Sequence, residues 1–582
     1  MPEHTDPRPW LAHYPPEVPP DITPVTQGSL CDELIAAARD HHDQRAFTMV
    51  MPNGMNGHLT FGDVDRLSDA FAVYLRETLG LSQGDRVAIQ MPNCLAYPVA
   101  AFGVLKAGCV VVNTNPLYTG PEMRRQFGDA GVAAIVGIDI MADKIGDVVA
   151  TSDDIPVILT RITDFFPGYV AGIIRSIQKV WTRNLPRIDY PYVRFTAALE
   201  QGLRRRSEAA TYVSELTADS LACLQYTGGT TGVSKGAMLT HGNLMANSAQ
   251  MMAFSRTAIL PGQETILTAL PMYHVFAFVV NLVGFYGMGA HNILIPNPRP
   301  LSNLKRAFEN YPITWVSGVN TLFHGLVNEE WFVAHPPEHL KASISGGMAL
   351  HASTASQWEQ VTGSPVVEGY GLTEASPGVT FNPIGGGEVR MGTVGVPLPS
   401  TVVRPTREDG SPAALGEPGE LWVRGPQVMA GYWQRPEESA QVLVDGWLRT
   451  GDVGTMDADG YVRIVDRSKD VIIVSGFNVF PNEVEEALSS HPGVDEVAVV
   501  GVDAGERGER VRAVVVRSDL TLTASDLRAH AATELTGYKV PSEFVFADDL
   551  PKSPIGKILR KDVRTQFADA QVQPLLTSEV TR

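Results

Sequence analysis

Residues 226–235 of this chain, in the order Tyr-Thr-Gly-Gly-Thr-Thr-Gly-Val-Ser-Lys, combine the groups a phosphate cradle needs. Gly228, Gly229 and Gly232 let the backbone curl so that successive N–H groups face one concavity. Thr227, Thr230, Thr231 and Ser234 add hydroxyl donors around Val233, and the Lys235 ammonium offsets negative charge. The segment is not the familiar nucleotide loop that ends in Gly-Lys-Ser/Thr, because no such ending is present. A flexible surface loop has the same composition, so other clusters must decide between the two readings.

Four more clusters carry usable chemistry. Residues 368–374, Glu-Gly-Tyr-Gly-Leu-Thr-Glu, offer an aromatic face on Tyr370, a permissive backbone at Gly371 and a hydroxyl on Thr373. Glu374 adds the hard oxygen ligand that Mg2+ prefers. Asp452, after Thr450-Gly451, presents two carboxylate oxygens to the adjacent hydroxyls of a ribose. His274 stands directly before the apolar run 275–290, where it could orient a carboxylate at the mouth of a tunnel. Lys557 follows a Pro- and Gly-containing loop at 551–556. Each of these, taken singly, also fits an ordinary turn or a solvated side chain.

The elements that must position these groups are legible from patterning. A chain of 582 residues is too long for one core, and 44% hydrophobic with 19% charged residues is the composition of a folded globular protein. Strand-like and helical stretches alternate: helices over 30–39, 60–79 and 95–107, and strands over 87–91, 109–112, 133–136 and 157–159. After residue 235 the same alternation resumes, with strands over 266–270, 291–295, 313–317 and 342–345. This is the grammar of an α/β sheet with helices on its faces. From about residue 390 short strands and tight turns take over, which predicts a small β-rich lobe. Residues 466–470 read as a polar connector to a separate α/β unit with strands over 471–474, 496–502 and 511–517. Eight prolines within residues 1–27 predict an extended arm laid over a domain.

Charge and cysteine usage exclude several classes of function. A net charge of −18 argues against a general affinity for nucleic acid, so an anion site must be local. The four cysteines, Cys31, Cys94, Cys109 and Cys223, form no CxxC pair and fit a reducing cytoplasm. No secretory signal is expected from a start rich in prolines and charges, and no run reaches the roughly 18 apolar residues of a spanning helix. One local exception to the acidic balance lies within 165–206, where Phe165, Phe166, Ile173, Ile174 and Ile177 alternate with Arg175, Lys179, Arg183 and Arg187. A helix packed on its own domain is the plain reading, and a peripheral membrane contact is the other. A homodimer is likewise left open.

Taken together and in order, these clusters resemble the adenylate-forming acyl-activating enzymes, most closely the bacterial long-chain fatty-acid CoA ligases. The resemblance runs from about residue 10 to residue 561 and includes 270–276, 318–323, Ser345-Gly346-Gly347-Met348, 466–470, Ser475-Gly476-Phe477-Asn478 and Pro481-Asn482-Glu483. It implies a large composite N-terminal domain over 1–465, built of two layered α/β subdomains plus the β-rich lobe. A hinge at 466–470 and a small mobile C-terminal α/β domain over 471–582 complete the expected architecture. It also implies ATP, Mg2+ and coenzyme A as cofactors, with a fatty acid as the other partner.

Residue by residue, the resemblance puts 227–235 around the β- and γ-phosphates of ATP and Gly346, Gly347 and Tyr370 in the adenine pocket. Thr373 would meet the α-phosphate, Glu374 would hold Mg2+, and Asp452 and Arg467 would bind ribose. Lys557 would reach the carboxylate and α-phosphate during adenylation, Lys469 would be the hinge residue, and Ser475, Gly476 and Phe477 would approach the pantetheine channel. Many relatives outside the long-chain branch carry Ser where Gly229 stands, whereas the long-chain branch shares the glycine. The expected reaction is therefore activation of a long-chain fatty acid to acyl-AMP and transfer to CoA. Activation of medium-chain or aryl acids, an acyl-AMP ligase loading a carrier protein, and a catalytically silent lipid- or nucleotide-binding protein are the alternatives.

Overall fold

The computed structural model describes residues 8–150, 155–179, 185–227, 234–467, 469–474, 477–503, 509–554 and 556–573. Two large sheets organise the N-terminal body. The first has seven strands in the spatial order Val193–Arg194, Val157–Thr160, Val132–Ile138, Arg86–Gln90, Val110–Thr114, Leu221–Thr227 and Lys235–Thr240. All neighbours run parallel except the last pair, which is antiparallel. Unbroken apolar stretches such as Val110, Val111 and Val112 dictate this arrangement, because a strand without a polar face must be covered on both sides.

The second sheet has nine strands, ordered Val396–Pro397, Gly378–Phe381, Val366–Gly371, Ala342–Ser345, Trp315–Gly318, Thr265–Thr268, His291–Leu294, Arg45–Val50 and Asn56–Thr60. Its middle is parallel and both ends are antiparallel. Asn93 fastens the two bodies: its amide donates to the carbonyls of Thr268 (3.0 Å) and Leu270 (2.9 Å) and accepts from the Met272 N–H (2.8 Å). Between the sheets lies the helix Ala96–Lys106, buried along all 11 residues. Its final residue is a cation, and burial is tolerated because Lys106 Nζ lies 2.6 Å from Asp65 and 2.7 Å from Asp69.

The β-rich lobe is a sheet of Val402–Thr406, Gly419–Arg424, Trp447–Met456 and Leu443–Val444, with Val462–Arg467 paired to Trp447–Met456. The small C-terminal domain combines the hairpin Ile472–Val474/Phe477–Val479 with a three-stranded sheet of Val494–Asp503, Glu509–Arg517 and Glu543–Ala547. Its helices are Pro481–Ser489, Ala524–Glu534 and Arg560–Gln566. The proline-rich arm crosses the end of the nine-stranded sheet: Tyr14 Oη donates to the Pro397 carbonyl (2.6 Å), and Ser400 N donates to the Pro20 carbonyl (3.1 Å). All four cysteines are buried thiols.

Local departures from the sequence reading have packing causes. The single helix predicted over 60–79 is α-helical over Phe61–Val73 and widens to a π-turn at Tyr74–Thr78, which brings both Tyr74 and Leu75 into the core. The apolar run from Val275 likewise becomes a short α-turn, Val275–Ala277, followed by the π-helical Phe278–Phe285, buried at every position. The strands Arg45–Val50, Gly378–Phe381 and Glu543–Ala547 have no clear alternation and are specified by their neighbours instead.

Among the described residues no helix is long and apolar enough to cross a membrane. The buried Lys106 pair gives a direct stability test. Lys106→Ala strands two carboxylates at the edge of the core and is expected to cost about 3–5 kcal/mol, read as a lowered denaturant midpoint of the large domain.

Candidate functional site

Strands of both sheets, among them Leu221–Thr227, Ala342–Ser345 and Val366–Gly371, end at one cleft, as strands do where an α/β sheet places its ligands. Its volume is about 2130 Å3, and the small domain forms one wall. Thr227, Ser234 and Lys235 enter it from the two ends of the glycine-rich segment, whose centre, Gly228, Gly229, Thr230, Thr231, Gly232 and Val233, lies outside the described residues. The base of that segment is closed: Thr227 and Lys235 pair across an antiparallel ladder, and Ser234 Oγ donates to the Thr227 carbonyl at 2.5 Å. Just before it, Tyr226 Oη donates to Asp129 (2.7 Å), and Arg435 from beyond the lobe sheet binds the other oxygen of Asp129 (2.6 Å).

Gly346 and Gly347 follow the strand Ala342–Ser345 into the cleft. A Cβ on Gly346 would stand 3.3 Å from Phe276, and Gly347 adopts a φ of +81°. Beside them the strand Val366–Gly371, the parallel neighbour of Ala342–Ser345, delivers Tyr370 and Gly371, and the turn Thr373–Ala375 delivers Thr373 and Glu374. Tyr370 Oη donates to Asp452 Oδ2 at 2.6 Å, while Arg467 Nε lies 3.1 Å from Asp452 Oδ1. Strand pairing explains this triad, since Asp452 and Arg467 are cross-strand partners in the lobe sheet.

Glu374 accepts a hydrogen bond from Tyr432 Oη through Oε1 (2.8 Å), and Lys235 Nζ sits 5.2 Å from the centre of the same Tyr432 ring. Among the described residues no group of three or more His, Cys, Asp or Glu stands ready to hold a metal. The donor set nevertheless fits Mg2+, which is usually taken up by one or two carboxylates together with substrate phosphates and water. The Tyr432 contact is to Oε1 of Glu374, so Oε2 is the oxygen that could serve such an ion.

Lys557 comes from the small domain and lines the cleft together with Asp452, Arg467 and Lys469. Burial and the cation of Arg467 lower its pKa to about 8. His274 is pushed down to about 4 by burial and by Lys557, so it is neutral at pH 7. Its Nδ1 accepts from the Phe276 N–H (3.4 Å), which leaves the proton on Nε2. Ser475 and Gly476 lie outside the described residues. Phe477 opens the strand Phe477–Val479.

A profile of AMP-binding enzymes matches residues 34–433, and one of the AMP-binding enzyme C-terminal domain matches 483–557. The chain belongs to the AMP-binding enzymes. It is 46% identical over 560 residues to a long-chain-fatty-acid–CoA ligase of Yersinia pestis, covering 96% of this chain and 98% of the relative. It is 38% identical over 564 residues to a long-chain-fatty-acid–CoA ligase of Bacillus subtilis, covering 95% and 97%. Among solved structures, ATP-bound MatB from Rhodopseudomonas palustris superposes with a TM-score of 0.78 at 29% identity, covering 93% of this chain and 99% of that one.

In this AMP-binding enzyme the cleft also contains Glu368, which the sequence reading named in its cluster without a role, and groups such as Arg560 that it did not name. Glu368 accepts from the Leu350 N–H (3.1 Å), and burial pushes its pKa up to about 8, so it is a neutral acid at pH 7. Arg560 Nη1 donates to Asp466 (2.8 Å) on the last lobe strand, and its other nitrogens hold Glu485 (2.9 and 2.5 Å) and Asn482. No motif includes Asp129, Tyr432 or Arg560, although Arg560 lies three residues after Lys557. The nearest signal is the Gly431-Tyr432 step before Pro436.

The strand that bears Tyr370 is tightly packed. A Cβ on Gly371 would fall 2.1 Å from the Pro377 carbonyl oxygen. Gly371→Ala must therefore displace the strand under Tyr370, and AMP affinity by calorimetry is expected to fall at least about ten-fold for a shift of 1.4 kcal/mol or more.

Proposed function

We propose that this chain is an AMP-forming ligase that activates a long-chain fatty acid as acyl-AMP and then transfers the acyl group to coenzyme A. The observation that carries this reading is that one cleft has both a polar and an apolar arm. Lys235, Tyr370, Asp452 and Lys557 line the first, while Met251, Met252, Ile259, Val280, Phe285 and Phe381 line the second. Val280 and Phe285 belong to the run that follows His274. Roughly 0.8 kcal/mol per buried CH2 makes such an arm a selector of acyl chains.

In the first step a fatty carboxylate oxygen attacks the α-phosphorus of ATP, and pyrophosphate leaves. Both reactants are anions, so their approach needs fixed positive charge. Lys235 and residues 227–234 are the proposed grip on the β- and γ-phosphates, Thr373 on the α-phosphate, and Gly346, Gly347 and Tyr370 on adenine. Asp452 and Arg467 take the ribose: each Asp452 oxygen keeps an acceptor site beyond its contact with Tyr370 or Arg467. Neutral His274 offers an N–H to the carboxylate, and Lys557 stabilises charge developing between carboxylate and α-phosphate. Mg2+ held by Glu374 would screen the phosphate oxygens.

In the second step the CoA thiolate attacks the acyl carbonyl and AMP leaves. Lys557 has no part in that step. The proposal therefore includes a large domain over 1–465, a connector at 466–470 with Lys469 as hinge, and a small domain over 471–582 that rotates to bring 475–477 toward CoA. Rotation must break the His324–Asp495 pair (3.1 Å), the Thr321 contact to the Gly556 carbonyl (3.4 Å) and the Arg560–Asp466 bond.

A peripheral membrane contact through the helix Gly168–Ile177 belongs to the same proposal. Tyr169, Ile173 and Ile177 recur at helical spacing and are 76%, 46% and 40% exposed. Arg175 is engaged by Asp139 (2.6 Å) and Arg187 by Asp189 (2.6 Å), so apolar area carries this reading more than charge does. Ile173→Ser with Ile177→Ser should reduce co-sedimentation with liposomes, and unchanged sedimentation removes the contact.

ATP–pyrophosphate exchange across short, medium, long and aromatic acids tests the substrate, with exchange strongest for long chains. Exchange with only short or aromatic acids overturns the assignment. Lys557→Ala is expected to lose adenylation by roughly 100-fold or more while retaining thioester formation from supplied acyl-AMP. Because the ammonium form of Lys557 is lost as pH rises through about 8, kcat/KM for ATP in the first half-reaction should fall above that pH. The second half-reaction should lack that limb.

A further inference from the structure

We propose that Tyr432 is a positioning residue that sets the metal-binding carboxylate and the phosphate-binding lysine of this site in one geometry. The inference rests on the adenylation reading and names a residue that reading does not use. Tyr432 is 9% exposed and touches two proposed ligand groups with two different parts of its side chain. Its hydroxyl donates to Glu374 Oε1 at 2.8 Å, and the face of its ring lies beneath Lys235 Nζ at 5.2 Å from the centroid. A cation over a phenol ring within about 6 Å is attracted by the ring's quadrupole, so the ring restrains where the ammonium rests. The hydroxyl restrains one carboxylate oxygen, which fixes the direction in which the other faces.

The backbone that carries Tyr432 is fixed independently of either contact. The segment 430–433 runs along the strand Lys235–Thr240 as a further strand would: Ala430 N donates to Met238 O (3.0 Å), Met238 N to Gly431 O (2.8 Å), and Trp433 N to Gly236 O (2.8 Å). One residue earlier, Met429 N donates to the Glu374 carbonyl at 2.9 Å. Tyr432 N itself donates to Ser439 Oγ (2.8 Å), and Arg435 anchors the far end on Asp129, which also holds Tyr226. The lobe thus reaches across and ties the base of the glycine-rich segment to the turn that carries Glu374.

Two substitutions separate the two contacts. Tyr432→Phe keeps the ring under Lys235 and deletes the donor to Glu374, and Tyr432→Leu deletes both. Binding of a non-hydrolysable ATP analogue to the full chain is measured by calorimetry without fatty acid, first in EDTA and then across a Mg2+ titration. Tyr432→Phe is expected to bind the metal-free analogue as wild type does and to need roughly three- to ten-fold more Mg2+ for half-maximal enhancement. Tyr432→Leu is expected to weaken metal-free binding as well, by roughly two- to five-fold. In a Glu374→Gln background, Tyr432→Phe should add nothing to the Mg2+ requirement. An unchanged Mg2+ requirement in a folded Tyr432→Phe protein overturns the inference, as does an equal loss of metal-free and Mg2+-dependent binding. If Tyr432→Leu fails to fold, the Phe variant and its Glu374→Gln cycle decide alone. Failure of the wild type to bind the analogue at all would overturn the adenylation reading instead.

Discussion

The guanidinium of Arg560 joins the last strand of the lobe, through Asp466, to the first helix of the small domain, through Glu485 and Asn482. The place of Lys557, three residues earlier in the chain, follows from that knot. A second strut crosses the same knot, since Asn482 N donates to the free oxygen of Asp466 at 2.8 Å. Buried charge of this kind adds little net stability when complete, yet removing one partner leaves the others uncompensated. It therefore favours a discrete docked arrangement over a continuum of loose ones. The remaining contacts across the cleft, such as His324 with Asp495, are half-exposed and individually weak.

The cleft solves a charge problem for an acidic chain. With a formal net charge of −18, the molecule as a whole repels polyanions. Lys235, Arg467 and Lys557 bring local positive charge into a cleft that also carries Glu374, Asp452 and Asp466, and two further titratable groups there are neutral at pH 7. His274 loses its proton through burial, and Glu368 keeps its own for the same reason. The two shifts have opposite sign and one cause, the cost of an ion in a poorly solvated place. Lys557 feels that cost too, which leaves its charge adjustable near neutral pH.

Much of the scaffold was legible because its signals are local. The parallel strands announce themselves as apolar runs, and the helix Leu30–Asp40 begins with a capping box on Ser29 and Asp32. The site motifs were legible as clusters, and the cleft brings together Thr227, His274, Tyr370, Asp452 and Lys557 from segments far apart in the chain. What sequence did not reveal is of another kind. Asp129, Tyr432 and Arg560 are ordinary polar residues whose importance arises from partners across the fold, such as the 306 positions between Arg435 and Asp129. The widened turns at Tyr74–Thr78 and Phe278–Phe285 were equally hidden, since a period of 3.6 reads almost the same as one slightly longer.

The proline-rich arm has a bearing on how the chain survives its own synthesis. A nine-stranded sheet must end somewhere, and its Val396–Pro397 end is a two-residue strand, buried at both positions, whose second residue has no N–H to offer a further strand. Tyr14 meets that strand at Pro397 across 383 positions of sequence. The arm is therefore made long before the edge it covers, and it is already waiting when that edge emerges. Prolines, which cannot extend a ladder, let it lie there without recruiting the next strand in turn. The arm expected from those prolines thus closes that end of the sheet from within the same chain.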